Sequence, residues 1–178
     1  MDKVAVGPCL VIMAGLPGTG KSTLSHNLAA ELHGALLDKD LVRGALFGRH
    51  WVEYSRAQDD FCLELMLQTA GYFAGIPKPP GYIFIDGRTF AFRYQIERVV
   101  SYADEIGSKV KIIHLCCSDE IARKRLSKAH VAKNRNFEMY LEIKKIFEPI
   151  ERPKLTLNTD NGLTAVLFRQ SVQYLQGD

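Results

Sequence analysis

The segment GLPGTGKST, from Gly15 to Thr23, contains the residues whose types and spacing most clearly suggest a chemistry. It satisfies the pattern G-x-x-x-x-G-K-[ST], with an apolar run before it and an amphipathic stretch after it. Glycines let the backbone turn several N–H groups toward an anion, and the start of a following helix favours negative charge. The segment therefore predicts a cradle for the phosphates of a nucleoside triphosphate bound with Mg²⁺.

Three side chains of this segment have separate expected roles. Lys21 would place a positive charge near the β- and γ-phosphates and contribute to catalysis, Ser22 would bind Mg²⁺, and Thr23 would donate to an α-phosphate. ATP is favoured because the chain lacks the Asn-Lys-x-Asp segment with which Ras-type GTPases read guanine. The residues of the segment expected to bind nucleotide are Gly15, Leu16, Pro17, Gly18, Thr19, Gly20, Lys21, Ser22 and Thr23.

Apolar runs alternate with helical stripes along the chain. The runs predict strands at residues 10–14, 35–37, 82–86, 110–117 and 155–159. Helices are predicted to begin at or near Lys21, Arg56, Phe92, Ser118, Phe137 and Leu163. Strands that are apolar throughout and alternate with helices are typical of an α/β fold, a parallel sheet covered on both faces.

Polar residues follow the predicted strands where such a sheet binds its ligands, beyond the carboxyl ends. Besides the glycine-rich segment, they are Asp38, Asp40, Asp86, Arg88, Ser118 and Asn158. We therefore expect a single site at this edge of the sheet, with Asn158 close to the nucleotide.

Asp40 is the predicted general base. A carboxylate at this place can accept the proton of an attacking hydroxyl and orient it toward the γ-phosphate. Arg43 would lie on the same side of a helix that starts at Asp40, where it could bind an anionic group of the acceptor. Alternatively, Asp40 is only an N-cap and Arg43 a solvated surface residue. Asp38 competes as the carboxylate, but its apolar neighbours favour a structural tether.

A basic segment follows the fourth predicted strand. Residues 123–135 include six Lys or Arg residues and no acidic one. Such a segment could close over the nucleotide as a lid, spanning about residues 119–136, although a solvated basic face remains open. Within it, Arg125 is expected to contact the transferred phosphate and Arg123 the nucleotide.

Weaker candidates surround this predicted site. Asp86 could hold Mg²⁺ through water or face the acceptor, and Arg88 and Arg93 could contact the acceptor. Between Phe47 and Tyr54, the aromatic and imidazole side chains could shape an acceptor pocket or simply pack; these are His50, Trp51 and Tyr54.

The composition narrows the class of protein. The chain has 178 residues and a net charge of +3, which suits one domain over residues 1–178 and is too small to indicate nucleic acid by itself. No apolar run approaches the roughly 18 residues of a membrane span. The N-terminus does not resemble a secretory signal, and the four cysteines fit buried thiols in a reducing cytoplasm better than a disulfide or zinc framework.

Four stretches together resemble the small P-loop kinases, often described as AAA-type ATP-binding kinases. They are GLPGTGKSTL, LLDKDLVRGALF, IFIDGRTF and IHLCCSDEIARKRL. The kinase domain of bacteriophage polynucleotide kinase belongs to that family, and chloramphenicol phosphotransferase and gluconate kinase are more distant relatives. The resemblance covers about residues 9–160.

This resemblance implies a P-loop NTPase fold similar to that of nucleoside kinases, with a lid and five parallel strands in the order 2-3-1-4-5. It implies that Asp40 activates the acceptor hydroxyl, that Arg43 binds an anion of the acceptor, and that Arg125 contacts the transferred phosphoryl group. The expected function is ATP- and Mg²⁺-dependent transfer of phosphate to a hydroxyl of a small polar or anionic metabolite or antibiotic. A 5′-hydroxyl polynucleotide kinase and a nucleotide-binding regulatory or toxin-like module are the alternatives.

Overall fold

The computed structural model describes residues 7–127 and 136–177. Its sheet has the predicted strand order, β2-β3-β1-β4-β5, and each neighbouring pair is parallel. The strands are β1 (Cys9–Ala14), β2 (Ala35–Asp38), β3 (Tyr82–Asp86), β4 (Val110–Cys116) and β5 (Leu155–Asn158). The prediction of a five-stranded parallel sheet is therefore confirmed.

Strand β1 occupies the centre of the sheet, where Leu10 lies opposite Ile83 of β3 and Val110 of β4. Its residues from Leu10 to Ala14 are all 0% exposed. Alternate side chains of β1 enter the cores on opposite faces of the sheet, as the twofold period of a strand requires. Both faces are covered, which explains why this strand is apolar throughout.

Helices cover both faces of the sheet, as predicted. They are α1 (Lys21–Glu31), α2 (Lys39–Phe47), α3 (Arg56–Gly75), α4 (Arg93–Glu105), α5 (Asp119–Leu126), α6 (Phe137–Ile146) and α7 (Ala165–Gln176). Apolar side chains of α1 and α7 form the core on one face, and those of α3 and α4 form the core on the other. The long α3 thereby becomes a fixed support for the site described below.

Side-chain caps set several helix starts. Ser55 caps α3 by accepting from the Gln58 amide, so this helix begins at Arg56 as predicted. Thr164 caps α7, so this helix begins at Ala165, two residues later than the predicted start. Helix α2 begins at Lys39, one residue before the predicted start, because the capping carboxylate belongs to Asp38.

The proposed lid is described only in part. Its first section forms α5, while Lys128, Lys133 and Arg135 lie outside the described residues. Whether the basic segment closes over a nucleotide therefore stays a prediction. Within residues 7–127 and 136–177, none of the helices combines the length and the apolar character needed to cross a membrane.

Candidate active site

The loop between β1 and α1 holds three glycines in backbone conformations that fit the predicted phosphate cradle. Gly15 has a φ of +138°, and a Cβ placed there would lie 2.2 Å from the carbonyl oxygen of Leu115. Gly18 and Gly20 also have positive φ values. These conformations need glycine, so the spacing of the glycines is a steric requirement of the loop itself.

Two side chains of the loop bond back to its own backbone. Thr19 donates its hydroxyl to the carbonyl oxygen of Leu16 at 2.8 Å, and the Lys21 ammonium donates to the same oxygen at 3.0 Å. Lys21 is only 9% exposed. Its charge is therefore held over the loop, at the start of α1, where an anion is favoured.

Asp86 lies beneath the loop and is fully buried at the end of β3. Its Oδ2 accepts from the hydroxyl of Ser25 at 2.9 Å, and that hydroxyl lies 3.0 Å from the carbonyl oxygen of Ser22. Its Oδ1 has no partner among the described residues. A buried carboxylate oxygen with an unused lone pair, bonded through its partner oxygen to Ser25 one helical turn after Ser22, suits a hydrated Mg²⁺. The burial of Asp86 does not fit the second predicted role, direct contact with an acceptor.

Asp38 and Asp40, the two competing carboxylates, have different surroundings. Asp38 accepts from the backbone amides of Asp40 at 2.7 Å and Leu41 at 3.3 Å, which makes it the N-cap of α2. The backbone of Gly87 packs closely against Asp38, since a Cβ at Gly87 would lie 2.7 Å from Asp38 Oδ1. Asp40 is not the cap, and its side chain, 31% exposed, lines the cleft.

Asp40 belongs to a compact ion cluster with two cations of α2. Its Oδ1 lies 3.3 Å from the Lys39 ammonium and 3.3 Å from Nη1 of Arg43. Both cations also reach Asp59 of α3, since the Lys39 ammonium lies 2.9 Å from Asp59 Oδ1 and Nη2 of Arg43 contacts the same oxygen. Arg43 is 4% exposed, so it is not a solvated surface residue.

Lys39 was missed in the sequence because nothing in a motif marks it. Burial lowers the pKa of Lys39 to about 8; the charge of Asp40 opposes this shift and that of Arg43 adds to it. The ammonium in this cluster can therefore lose its proton within the working pH range of many enzymes.

Arg88 and Arg93, the two arginines that follow β3, have separate positions. Arg88 is 5% exposed, lines the cleft, and pairs with Asp60 of α3 at 2.5 Å. Arg93 lies at the surface, where its guanidinium pairs with Glu151 at 3.0 Å. The structure does not bring Arg93 to the cleft, whose lining does not include it.

Arg125 lies over the phosphate loop from α5. It donates to the carbonyl oxygen of Gly18 at 3.1 Å and to the hydroxyl of Thr159 at 3.0 Å. The guanidinium of Arg123 instead packs over the ring of Phe137, 4.0 Å from its centroid. Asn158 is exposed and bonds to the neighbouring Asp160. Neither Arg123 nor Asn158 lines the cleft, whereas Arg125 does.

The cleft at this edge encloses about 660 Å³ and has two parts. We name the two parts after their predicted ligands. The part called the nucleotide half includes residues 17–23 with Arg125, Thr159, Gly162 and Leu163. The part called the acceptor half includes Lys39, Asp40, Arg43, Tyr54, Asp59 and Arg88. Of the three uncertain residues between Phe47 and Tyr54, the cleft lining includes Tyr54 but not His50 or Trp51. Hydrophobic periodicity alone could have placed Asp59 on α3, but not beside Arg43.

A protein-family model described as an AAA domain, AAA_33, matches residues 10–149. The chain therefore belongs to this family, whose members are P-loop kinases. No curated protein matches the sequence.

Solved structures share this kinase-like P-loop fold. A protein of Chloroflexus aurantiacus J-10-fl, provisionally assigned as a kinase, has a TM-score of 0.73 at 22% identity, covering 96% of this chain and 100% of its own. The APS kinase of Mycobacterium tuberculosis, solved with AMPPNP and APS, has a TM-score of 0.69 at 17% identity, covering 96% and 98%. A gluconokinase of Sinorhizobium meliloti 1021 has a TM-score of 0.63 at 16% identity, covering 96% and 91%. At these identities the likeness concerns the fold alone.

Proposed function

We propose that the protein is an ATP- and Mg²⁺-dependent kinase that transfers the γ-phosphate to a hydroxyl of a small polar or anionic acceptor, such as a metabolite or an antibiotic. The observation that carries the proposal is the position of Asp40. It lines the same cleft as the phosphate loop and is not used as a helix cap. A carboxylate that lines the cleft, next to a cradle for triphosphate, suits phosphoryl transfer better than nucleotide binding alone.

In this proposal, Asp40 accepts the proton of the acceptor hydroxyl. The oxygen forms a bond to the γ-phosphorus while the bond to the bridging oxygen of the diphosphate breaks. Lys39 and Arg43 orient Asp40, because each lies 3.3 Å from its Oδ1. A fixed orientation of the Asp40 carboxylate would increase the rate of transfer, because a general base that is out of position reacts slowly.

On the nucleotide side, Lys21 and the loop amides bind the phosphates and balance the negative charge that shifts to the leaving group. Arg125 is a candidate for contact with the phosphates from above, since it already lies against Gly18. Ser22 and Asp86 are the residues that would hold Mg²⁺, which when bound would neutralise charge on the β- and γ-phosphates.

Thermal-shift screening tests the proposal directly. The protein is mixed with Mg²⁺ and AMPPNP and then with hydroxylated metabolites, nucleosides, short 5′-hydroxyl oligonucleotides and antibiotics. A ligand stabilises the folded protein according to its concentration over its dissociation constant, so an acceptor adds a shift to that of the nucleotide. We expect one class of small molecule to do so. An oligonucleotide-only shift would favour a polynucleotide kinase, and a shift with nucleotide alone would favour a regulatory module.

A further inference from the structure

The acceptor half carries its own counterions. Its three cations are Lys39, Arg43 and Arg88, and each has a carboxylate partner. Two of those carboxylates, Asp59 and Asp60, come from α3. Together with Asp40 they balance the three positive charges among the described residues. A clamp meant for a phosphate or sulfate would instead hold unbalanced positive charge.

Asp59 occupies the position in which an anion of the acceptor would pair with Lys39 and Arg43. Its Oδ1 lies 2.9 Å from the Lys39 ammonium and also contacts Arg43, so it uses both cations at once. A phosphate at this place would have to displace Asp59 or share its cations, and it would also lie next to Asp40, which contacts the same two cations. Three negative groups, namely the phosphate, Asp40 and Asp59, would then share the two cations Lys39 and Arg43, which is strongly disfavoured in a half-buried site.

The Asp59 carboxylate cannot easily move away from Lys39 and Arg43. It lies in the first turn of α3, which Ser55 caps and which is anchored in the core by fully or nearly fully buried side chains, namely Cys62, Leu63, Met66, Leu67 and Ala70. A carboxylate on a flexible loop could move aside for a ligand, whereas one on a core helix moves only by changing its rotamer.

The remaining features of the acceptor half suit hydroxyl groups. Carboxylate oxygens accept from a hydroxyl and guanidinium groups donate to one, so paired charges bind a polyol without loss of balance. Arg43 Nε and Arg88 Nη1 are buried donors that have no acceptor among the described residues. The ring of Tyr54 is half exposed beside Arg43, with the guanidinium 5.0 Å from its centroid, and offers an apolar face.

We propose that Asp59 is a specificity-determining residue that excludes phosphorylated and sulfated acceptors, and that the acceptor is an uncharged polyhydroxylated molecule. This inference rests on the proposed function and narrows it. The ion-paired side chains of the acceptor half then bind the hydroxyl groups of a sugar or alcohol. The carboxylate of Asp59 fills the position that an anion would need.

Sulfate binding tests the role of Asp59 without knowledge of the acceptor. Equilibrium dialysis with radiolabelled sulfate is carried out at constant ionic strength, with the phosphate loop saturated by AMPPNP and Mg²⁺. We expect Asp59→Asn to bind sulfate at least about tenfold more tightly than the wild type, since one charged hydrogen-bonding partner is freed on two cations. Adding Arg43→Gln should abolish this gain. Glu64→Gln, which removes a carboxylate of α3 that pairs with Arg98 outside the cleft, is the control and should resemble the wild type.

Equal sulfate affinity in the wild type and Asp59→Asn would overturn the inference. If Asp59→Asn does not fold, a transfer assay with the wild type tests the inference instead. Glycerol, ribose, glucose and adenosine are offered as acceptors, each beside its monophosphate ester. Faster transfer to an ester than to its parent would also refute the role of Asp59. Failure of AMPPNP to bind would instead refute the proposed function.

Discussion

The nucleotide half and the acceptor half of the cleft are built in different ways. The nucleotide half is mostly backbone from one continuous segment, and its shape follows from three glycines with positive φ. The acceptor half is made of side chains from α2, α3 and the segments before α3 and after β3, joined by ion pairs. In the proposed function the first arrangement binds a phosphate chain mainly through its backbone. The second binds the acceptor through charged side chains, so a single substitution there would change the charge offered to the ligand.

This difference predicts a large effect on the chemical step in the acceptor half. Asp40→Asn should lower kcat about 10²–10⁴-fold, because the hydroxyl loses its general base, while the affinity for AMPPNP should remain within about twofold. Steady-state kinetics with the screened acceptor and calorimetric binding of AMPPNP measure the two quantities.

Asp38→Asn is the matched control for this substitution. Asparagine is as good an N-cap as aspartate, so both α2 and activity should be retained. A larger loss of kcat in Asp38→Asn than in Asp40→Asn would show that the wrong carboxylate has been assigned as the base.

In the nucleotide half, the backbone should be the sensitive part. Gly15→Ala places a Cβ 2.2 Å from the Leu115 carbonyl oxygen at a φ of +138°, so the loop must shift. We expect the free energy of unfolding to fall by about 1–3 kcal/mol and AMPPNP affinity to fall more than tenfold. Gly75→Ala, which has open space around its Cβ, is the control. Similar thermal unfolding and AMPPNP binding in the two variants would contradict the steric account.

We expect Lys39 to make the acceptor half sensitive to pH. Its pKa of about 8 lies below the ordinary lysine value of 10.5, so its positive charge disappears as the pH rises through about 8. The pairs with Asp40 and Asp59 are then lost, and kcat/KM should fall above that pH. Lys39→Arg keeps its charge and should move the fall to higher pH. A pH profile of kcat/KM that is identical in both proteins would exclude a role for this ammonium.

The smallest effect is expected for Arg125→Ala. This change removes the hydrogen bonds from α5 to Gly18 and Thr159, and KM for ATP should rise about fivefold. Lys124→Ala, on the exposed side of the same helix, should leave KM unchanged. An unchanged KM in Arg125→Ala would show that this arginine only packs against the loop.

The sequence predicts the fold and the glycine conformations of the loop after β1, because both depend on local patterns. Apolar runs locate the strands, and the glycine spacing specifies the loop between Gly15 and Ser22. The pairing of Arg43 with Asp40 also follows from helical spacing. The neutralisation of Arg43 by Asp59 could not be predicted, because it depends on how α2 packs against α3. Tertiary packing also decides the positions of Arg93 and Arg123, which the sequence predicts in the site but whose side chains do not line the cleft.

Phosphorus NMR of the complete reaction tests the central claim most directly. The protein is incubated with ATP, Mg²⁺ and the acceptor that adds a thermal shift. We predict a new phosphomonoester signal that grows as the ATP signals decline, with no growth in Asp40→Asn over the same time. Formation of ADP and inorganic phosphate alone, or no consumption of ATP, would contradict the assignment of the protein as a kinase of a small hydroxylated molecule.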